Sequence, residues 1–238
     1  ILHADTAANG GYAHIGYQSG AEPAVTAYEV NGANAVAADN YYQLVSTSTE
    51  FQNIKDGLTK NYMLANDIDF TDPATSAAGE ITPIGGNTIG TTTYPAYSGK
   101  FDGNFFRVQN YKVTNPALER AGLFGELNHA QIYNLGVTGA TVTGDTSRGT
   151  SRAGGVAGYS YGGTSFLNVY IKNSTINGLD GYHGGLIGHT TNTTLDSVYS
   201  KATIGEGGGI IGYSSSGTKV SNAYSDVEVP KRLGIAAE

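Results

Sequence analysis

The sequence predicts an all-β solenoid: short parallel strands wound into stacked coils, with one short capping helix near residues 47–60. Three observations predict it. The phrase Gly-x-x-Gly occurs as Gly122-Leu123-Phe124-Gly125, Gly155-Val156-Ala157-Gly158, Gly185-Leu186-Ile187-Gly188 and Gly209-Ile210-Ile211-Gly212, with first glycines 33, 30 and 24 residues apart. Each phrase is followed, 12 or 13 residues after its first glycine, by Asn134, Asn168, Ser197 or Asn222 inside an apolar-centred segment. The composition is 35 Gly and 17 Tyr with no Trp and 14% charged residues, well below the ~25% charge of an ordinary soluble domain. Self-similarity at such a period means stacked units, each burying a face it cannot bury alone.

The chain divides into a β-rich lead-in (residues 1–45), first coils carrying a helix and long loops (46–118), and the four-copy region (119–238). In the lead-in, Gly11–Gly16 and Thr26–Val30 read as strands around a turn at Ala21-Glu22-Pro23. Thr47-Ser48-Thr49-Glu50 has capping-box spacing, and Phe51, Ile54 and Leu58 then share one helical face. That helix is expected to close the apolar end of the stack, as a terminal unit requires. Ile68 and Phe70 alternate with Asp67 and Asp69, and Asp102-Gly103-Asn104 reads as a tight turn. Arg107–Val113 alternates as a strand.

Within 119–229 each copy holds three short strands. The second is Ile132–Leu135, Phe166–Val169, Leu195–Val198 or Val220–Ala223; the third is Ala140–Val142, Ser174–Ile176, Ala202–Ile204 or Val227–Val229. Stacked in parallel, equivalent residues lie ~4.8 Å apart and form ladders of like on like. Gly122, Gly125, Gly155, Gly158, Gly185, Gly188, Gly209 and Gly212 are expected to permit bends and close backbone approach. Asn134, Asn168 and Asn222 are expected to stack their amides from coil to coil.

These phrases resemble the GLUG motif. Asn66–Phe70, Pro83-Ile84-Gly85, Phe101–Asn104 and Gly122–Gly125 also come in that family's order, so the resemblance covers roughly residues 45–229. The chain departs from the pattern at Phe105-Phe106, where the family carries Gly-His-Thr. GLUG-bearing chains are mostly large exported bacterial proteins, among them filamentous-haemagglutinin-like adhesins and the non-catalytic leading region of immunoglobulin-A-cleaving metalloproteases. The resemblance implies a right-handed parallel β-helix on a secreted or cell-surface protein. Gly10–Gly16 also resembles a short phrase of haemagglutinin-like adhesins.

The net charge of −7 and the lack of any Lys/Arg cluster argue against a nucleic-acid partner. No apolar run approaches the ~20 residues that span a bilayer. There is no Cys, hence no disulfide and no thiolate metal site. The His-Glu-x-x-His pattern of a metalloprotease is absent, and His183 and His189 lack a third ligand at recognisable spacing. The carboxylates Asp67, Asp69, Asp102, Asp180 and Asp196 are the candidates for glycosidase chemistry. Asp67 and Asp69 share a strand face that fits either a Ca²⁺ pair or two solvated side chains. The reading is therefore non-enzymatic, with no cofactor and no metal.

The remaining functional candidates are tyrosines in or beside predicted loops: Tyr94, Tyr97, Tyr159, Tyr161, Tyr182 and Tyr213. Tyr offers a large contact area at low entropy cost, on sugars or on protein; the alternative is that these rings pack against the coils. Three functions compete. The first is an adhesive or structural segment of an exported bacterial surface protein, meeting a host-surface protein or glycan. The second is a filament subunit associating end to end through unpaired strand edges. The third is a polysaccharide-acting β-helix enzyme.

Overall fold

The computed structural model describes residues 2–4, 13–15, 29–30, 34–35, 42–71, 79–89, 92–144, 151–178 and 181–226. The architecture is a parallel β-solenoid. On its longest face the strands Gln43–Val45, Tyr62–Leu64, Lys100–Asp102, Gln131–Thr138, Ser165–Asn177, Thr194–Ile204 and Lys219–Ser225 pair in that order, each parallel to the next. A second face stacks Arg120–Ala121, Ser151–Gly154 and Gly181–Gly184. A third stacks Phe124–Asn128, Ala157–Tyr161, Ile187–Thr190 and Ile211–Ser214.

The expected ladders are present. Phe101, Ile132, Phe166 and Leu195 lie in register from coil to coil, as do Leu135, Val169 and Val198, and Val113, Val142, Ile176 and Ile204. All of these side chains are buried. Stacking places each apolar side chain over another apolar one, so the interior is packed by the same register that pairs the backbone.

Each Gly phrase begins with a bend, at Gly122-Leu123, Gly155-Val156, Gly185-Leu186 and Gly209-Ile210. None of its glycines has a left-handed backbone. Their contribution is room. A Cβ on Gly155 would fall 2.8 Å from the Gly185 carbonyl oxygen of the next coil. One on Gly188 would fall 2.6 Å from the Ala153 nitrogen and 2.7 Å from the Tyr182 oxygen, so the third-face strand rests directly on second-face backbone.

The left-handed residues sit elsewhere. Asn134 (φ 53°), Asn168 (φ 55°), Ser197 (φ 55°) and Asn222 (φ 48°) turn the long face at one recurring corner. Asn tolerates this region better than other residues with a Cβ. The amides also stack: Asn168 Nδ2 donates to Asn134 Oδ1 at 3.1 Å, and Asn134 Nδ2 donates to Asp102 Oδ1 at 3.2 Å. Ser197 has no amide, and Asn222 reaches past it to Asp196 Oδ1 at 2.8 Å.

The helix is shorter than expected. Ser48–Gln52 is α-helical and Asn53–Asp56 continues as 3₁₀, so the element stops before residue 60. The capping box forms: Glu50 N donates to Thr47 Oγ1 at 3.1 Å, and the Glu50 carboxylate accepts from Thr47 N at 3.2 Å. The stop comes at Gly57, whose α-carbon faces the Tyr62 hydroxyl so closely that a Cβ would collide with it. Phe51 meets Phe70 and Phe101 edge-on, each at 5.8 Å, and covers the leading end of the core.

Ala13–Ile15 is a strand, antiparallel to Leu2–Ala4, and Glu29–Val30 pairs with Asn34–Ala35. The turn at 21–23, the last third-strand segment at 227–229 and Asp180 lie outside the described residues.

Asn168→Ala is expected to cost about 1–2 kcal/mol for the left-handed backbone and about 0.5–1.5 kcal/mol for the lost amide bond. Asn168→Gly relaxes the backbone and loses the bond, so its urea midpoint should fall less than that of the Ala variant. Equal midpoints would mean that the corner conformation carries no energetic weight.

Candidate functional site

The bend at each Gly phrase brings side chains of the second and third faces together. Tyr159, His189 and Tyr213 are in register on the third face. Arg152 and Tyr182 are in register on the second. Across the bend, Tyr182 meets His189 at 5.1 Å between ring centroids and stacks on Tyr213 at 4.5 Å. Tyr159 stacks on Tyr161 at 5.0 Å and meets His189 at 4.7 Å. Four of the six tyrosines singled out in the sequence, Tyr159, Tyr161, Tyr182 and Tyr213, thus form one half-exposed strip. From Tyr159 to Tyr213 the strip covers two coil steps, about 10 Å of the solenoid axis.

The other two are placed differently. Tyr97 is fully buried and is no contact residue. It bridges to Leu127 as an inward rung of the third face, and its hydroxyl donates to Lys60 O at 3.0 Å and Lys100 O at 2.8 Å. The Thr- and Pro-rich run around it reads as a loop, yet it follows the coil path. Tyr94 packs partly against the core and lines a surface groove of about 550 Å³. Tyr161, Arg120, Glu126 and Asn128 line the same groove, so it opens at one end of the strip.

Arg152 and His189 join the strip without having been selected as contact residues. The Arg152 guanidinium lies over the Tyr159 ring at 5.0 Å and pairs with Glu119. Its Nε donates to His189 Nδ1 at 3.1 Å, leaving Nε2 to carry the proton toward Ser215 Oγ at 2.9 Å. Burial and then the Arg152 charge push the His189 pKa down to about 4. The signal was present in sequence: Tyr159 and His189 both stand four residues after the opening Gly of their phrases. The pairing across the bend had no sequence counterpart.

The acidic candidates are engaged. Burial pushes the Asp67 carboxyl up, but the side-chain and backbone bonds from Arg107 outweigh it and hold the pKa below the usual carboxylate value. Asp69 accepts from Thr71 N at 2.9 Å and Asn110 Nδ2 at 3.0 Å. Asp102 caps its turn, accepting from Asn104 N at 2.8 Å. Asp196 accepts from Asn222. These bonds assign the carboxylates to turns and coil-to-coil links. His183 is 1% exposed, inside the second-face strand Gly181–Gly184. Among the described residues no group of three or more His, Cys, Asp or Glu is placed to hold a metal ion, and no helix is long and apolar enough to cross a membrane.

No family model matches the chain, and no curated protein matches it. Among solved structures it is similar to a crystal structure of a "putative immunoglobulin A1 protease" from Bacteroides ovatus. That match has 20% identity and a TM-score of 0.41, over 80% of this chain and 68% of the other. A likeness this loose carries no inference about activity.

His189 sets a pH dependence. The unfolded imidazole takes up a proton below about 6.5, whereas the folded one stays neutral down to about 4. Its contribution is complete above pH 6.5 and is lost as pH falls through that window. Asp67 and Asp69, held below their ordinary value of 3.8, lose theirs at still lower pH. The urea midpoint should therefore drop between pH 7 and about 4.5, and drop less in His189→Gln. An identical pH profile for the variant would show that His189 is not held neutral.

Proposed function

We propose that this chain is a non-catalytic binding segment of an exported bacterial surface protein. Its β-solenoid presents the Tyr159–Tyr161–His189–Tyr182–Tyr213 strip to a host-surface glycan or protein. The observation that carries the reading is the gathering of four tyrosines, drawn from strands of three successive coils, into one continuous half-exposed surface. Tyr, Arg and His side chains in that arrangement combine a wide apolar contact with hydroxyl and guanidinium edges. The engaged states of Asp67, Asp69, Asp102 and Asp196 support the non-catalytic part. The resemblance of the four Gly phrases to GLUG repeats supports the exported, cell-surface part.

A second reading, end-to-end self-association, is favoured by one observation. The edge strand Lys219–Ser225 leaves Val220 47% and Tyr224 64% exposed, and its outer backbone edge has no strand partner among the described residues. Such an edge can template another strand.

The test is binding to arrays of host glycans and extracellular-matrix proteins. The double variant Tyr182→Ala/Tyr213→Ala should weaken any binding by about tenfold or more, the scale of losing an aromatic contact. Tyr224→Ala, on the long face, should bind as the unaltered chain does. Binding that survives the double variant in a folded protein would place the contact surface elsewhere. Concentration-dependent filaments seen by light scattering would favour the second reading.

A further inference from the structure

We infer that the groove beside Tyr161 is a subsite for one uncharged sugar residue, bordered by Tyr161 and by the Arg120–Glu126 ion pair to which the Tyr161 hydroxyl is hydrogen-bonded through Glu126. The inference rests on the binding-surface reading above and names the ligand chemistry of one part of it.

The groove has the size for such a ligand. Its volume of about 550 Å³ falls within the roughly 300–1,000 Å³ of small-molecule sites. It has the two kinds of wall that a pyranose needs. A sugar ring carries apolar C–H faces and a rim of hydroxyls, so it matches an aromatic plane bordered by donors and acceptors. Tyr161 and Tyr94 both line the groove, and Tyr159 stacks on Tyr161 from the neighbouring same-face position of the same strand. Glu126, Arg120 and Asn128 supply the polar rim.

Charge decides the class of sugar. Arg120 Nε stands 3.2 Å from Glu126 Oε2, and Arg120 NH2 stands 3.6 Å from Glu119 Oε1. Arg120 NH1 also donates to Gly86 O at 2.9 Å. Farther along the strip, Arg152 pairs with Glu119. Two guanidiniums thus face two carboxylates, and the wall is neutral as a unit. The Arg120 and Glu126 side chains are 25% and 15% exposed. A carboxylated or sulfated sugar would have to displace a half-shielded partner to reach either guanidinium, which leaves a charge unpaired. A neutral hydroxyl can bond to the rim without breaking the pair. His189, uncharged above about pH 4, keeps the adjoining strip neutral as well.

The test is calorimetric titration of the full chain with maltotriose and chitotriose as neutral probes, and with trigalacturonate and a heparin tetrasaccharide as acidic ones. The neutral probes should bind, with affinity changing less than about twofold between about 50 mM and about 0.5 M salt. Tyr161→Ala should weaken them about tenfold, whereas Tyr161→Phe, which keeps the ring, should stay within about threefold. Glu126→Gln leaves Arg120 under-neutralised, so acidic probes should gain salt-sensitive affinity. Should Tyr161→Ala fail to fold, Asn128→Ala tests the same groove from its polar rim, with a several-fold loss expected. Tighter, salt-sensitive binding of the acidic probes to the unaltered chain overturns the inference and leaves the binding surface standing. So does glycan or protein binding that depends on Tyr182 and Tyr213 but ignores Tyr161 and Asn128. Binding to no glycan or protein overturns both.

Discussion

Register between coils is the constraint on which the rest of the structure depends. In a parallel stack a slip of one residue would turn every inward Val, Ile and Leu outward. The left-handed corner at Asn134, Asn168, Ser197 and Asn222 resists that slip in two ways. Few residues with a side chain accept the conformation, so the corner cannot move freely along the sequence. The amide bonds then tie corner to corner, from Asp102 through Asn134 to Asn168 and again from Asp196 to Asn222. Ser197 breaks the run, and the Asp beside it supplies the acceptor that its hydroxyl does not.

The candidate site follows from the same register. Once the coils are locked, third-face residues four after each opening Gly fall into one column, Glu126, Tyr159, His189 and Tyr213. In the last three phrases the closing glycine, Gly158, Gly188 or Gly212, lets that face lie against second-face backbone, which brings Tyr182 and Arg152 into contact with the column. One feature of the phrases, the missing Cβ, therefore serves both construction and surface. The phrases decide which side chains meet.

Electrostatics along the strip is self-contained. Arg120 and Arg152 find Glu119 and Glu126 within their own wall, and His189 stays neutral through burial and the neighbouring guanidinium. The exposed aromatic edges are thus framed by polarity without net charge. Such a surface exerts little long-range electrostatic steering.

The sequence by itself determined the solenoid, its ladders, the capping box at Thr47 and Glu50, and the recurring Asn that stacks from coil to coil. All of these are written in local spacing: a repeated phrase, a period-two alternation, a cap three residues from its partner. It overran the helix, because the Tyr62 hydroxyl of the next strand packs on Gly57 and donates to its carbonyl at 3.1 Å, a contact outside the helical pattern. Tyr97 looked like a loop residue, because the coil path that buries it is fixed by a bridge to Leu127, thirty positions on. Asp67 and Asp69 read as a Ca²⁺ pair or as two solvated side chains, because Arg107 and Asn110, which hold them from the adjoining coil, lie 40 and 41 residues on. The strip itself belongs to this second group. Its tyrosines were visible one by one, and their assembly with Arg152 and His189 was decided by the tertiary structure alone, because contact across a bend depends on how closely two backbones approach and leaves no period in the chain.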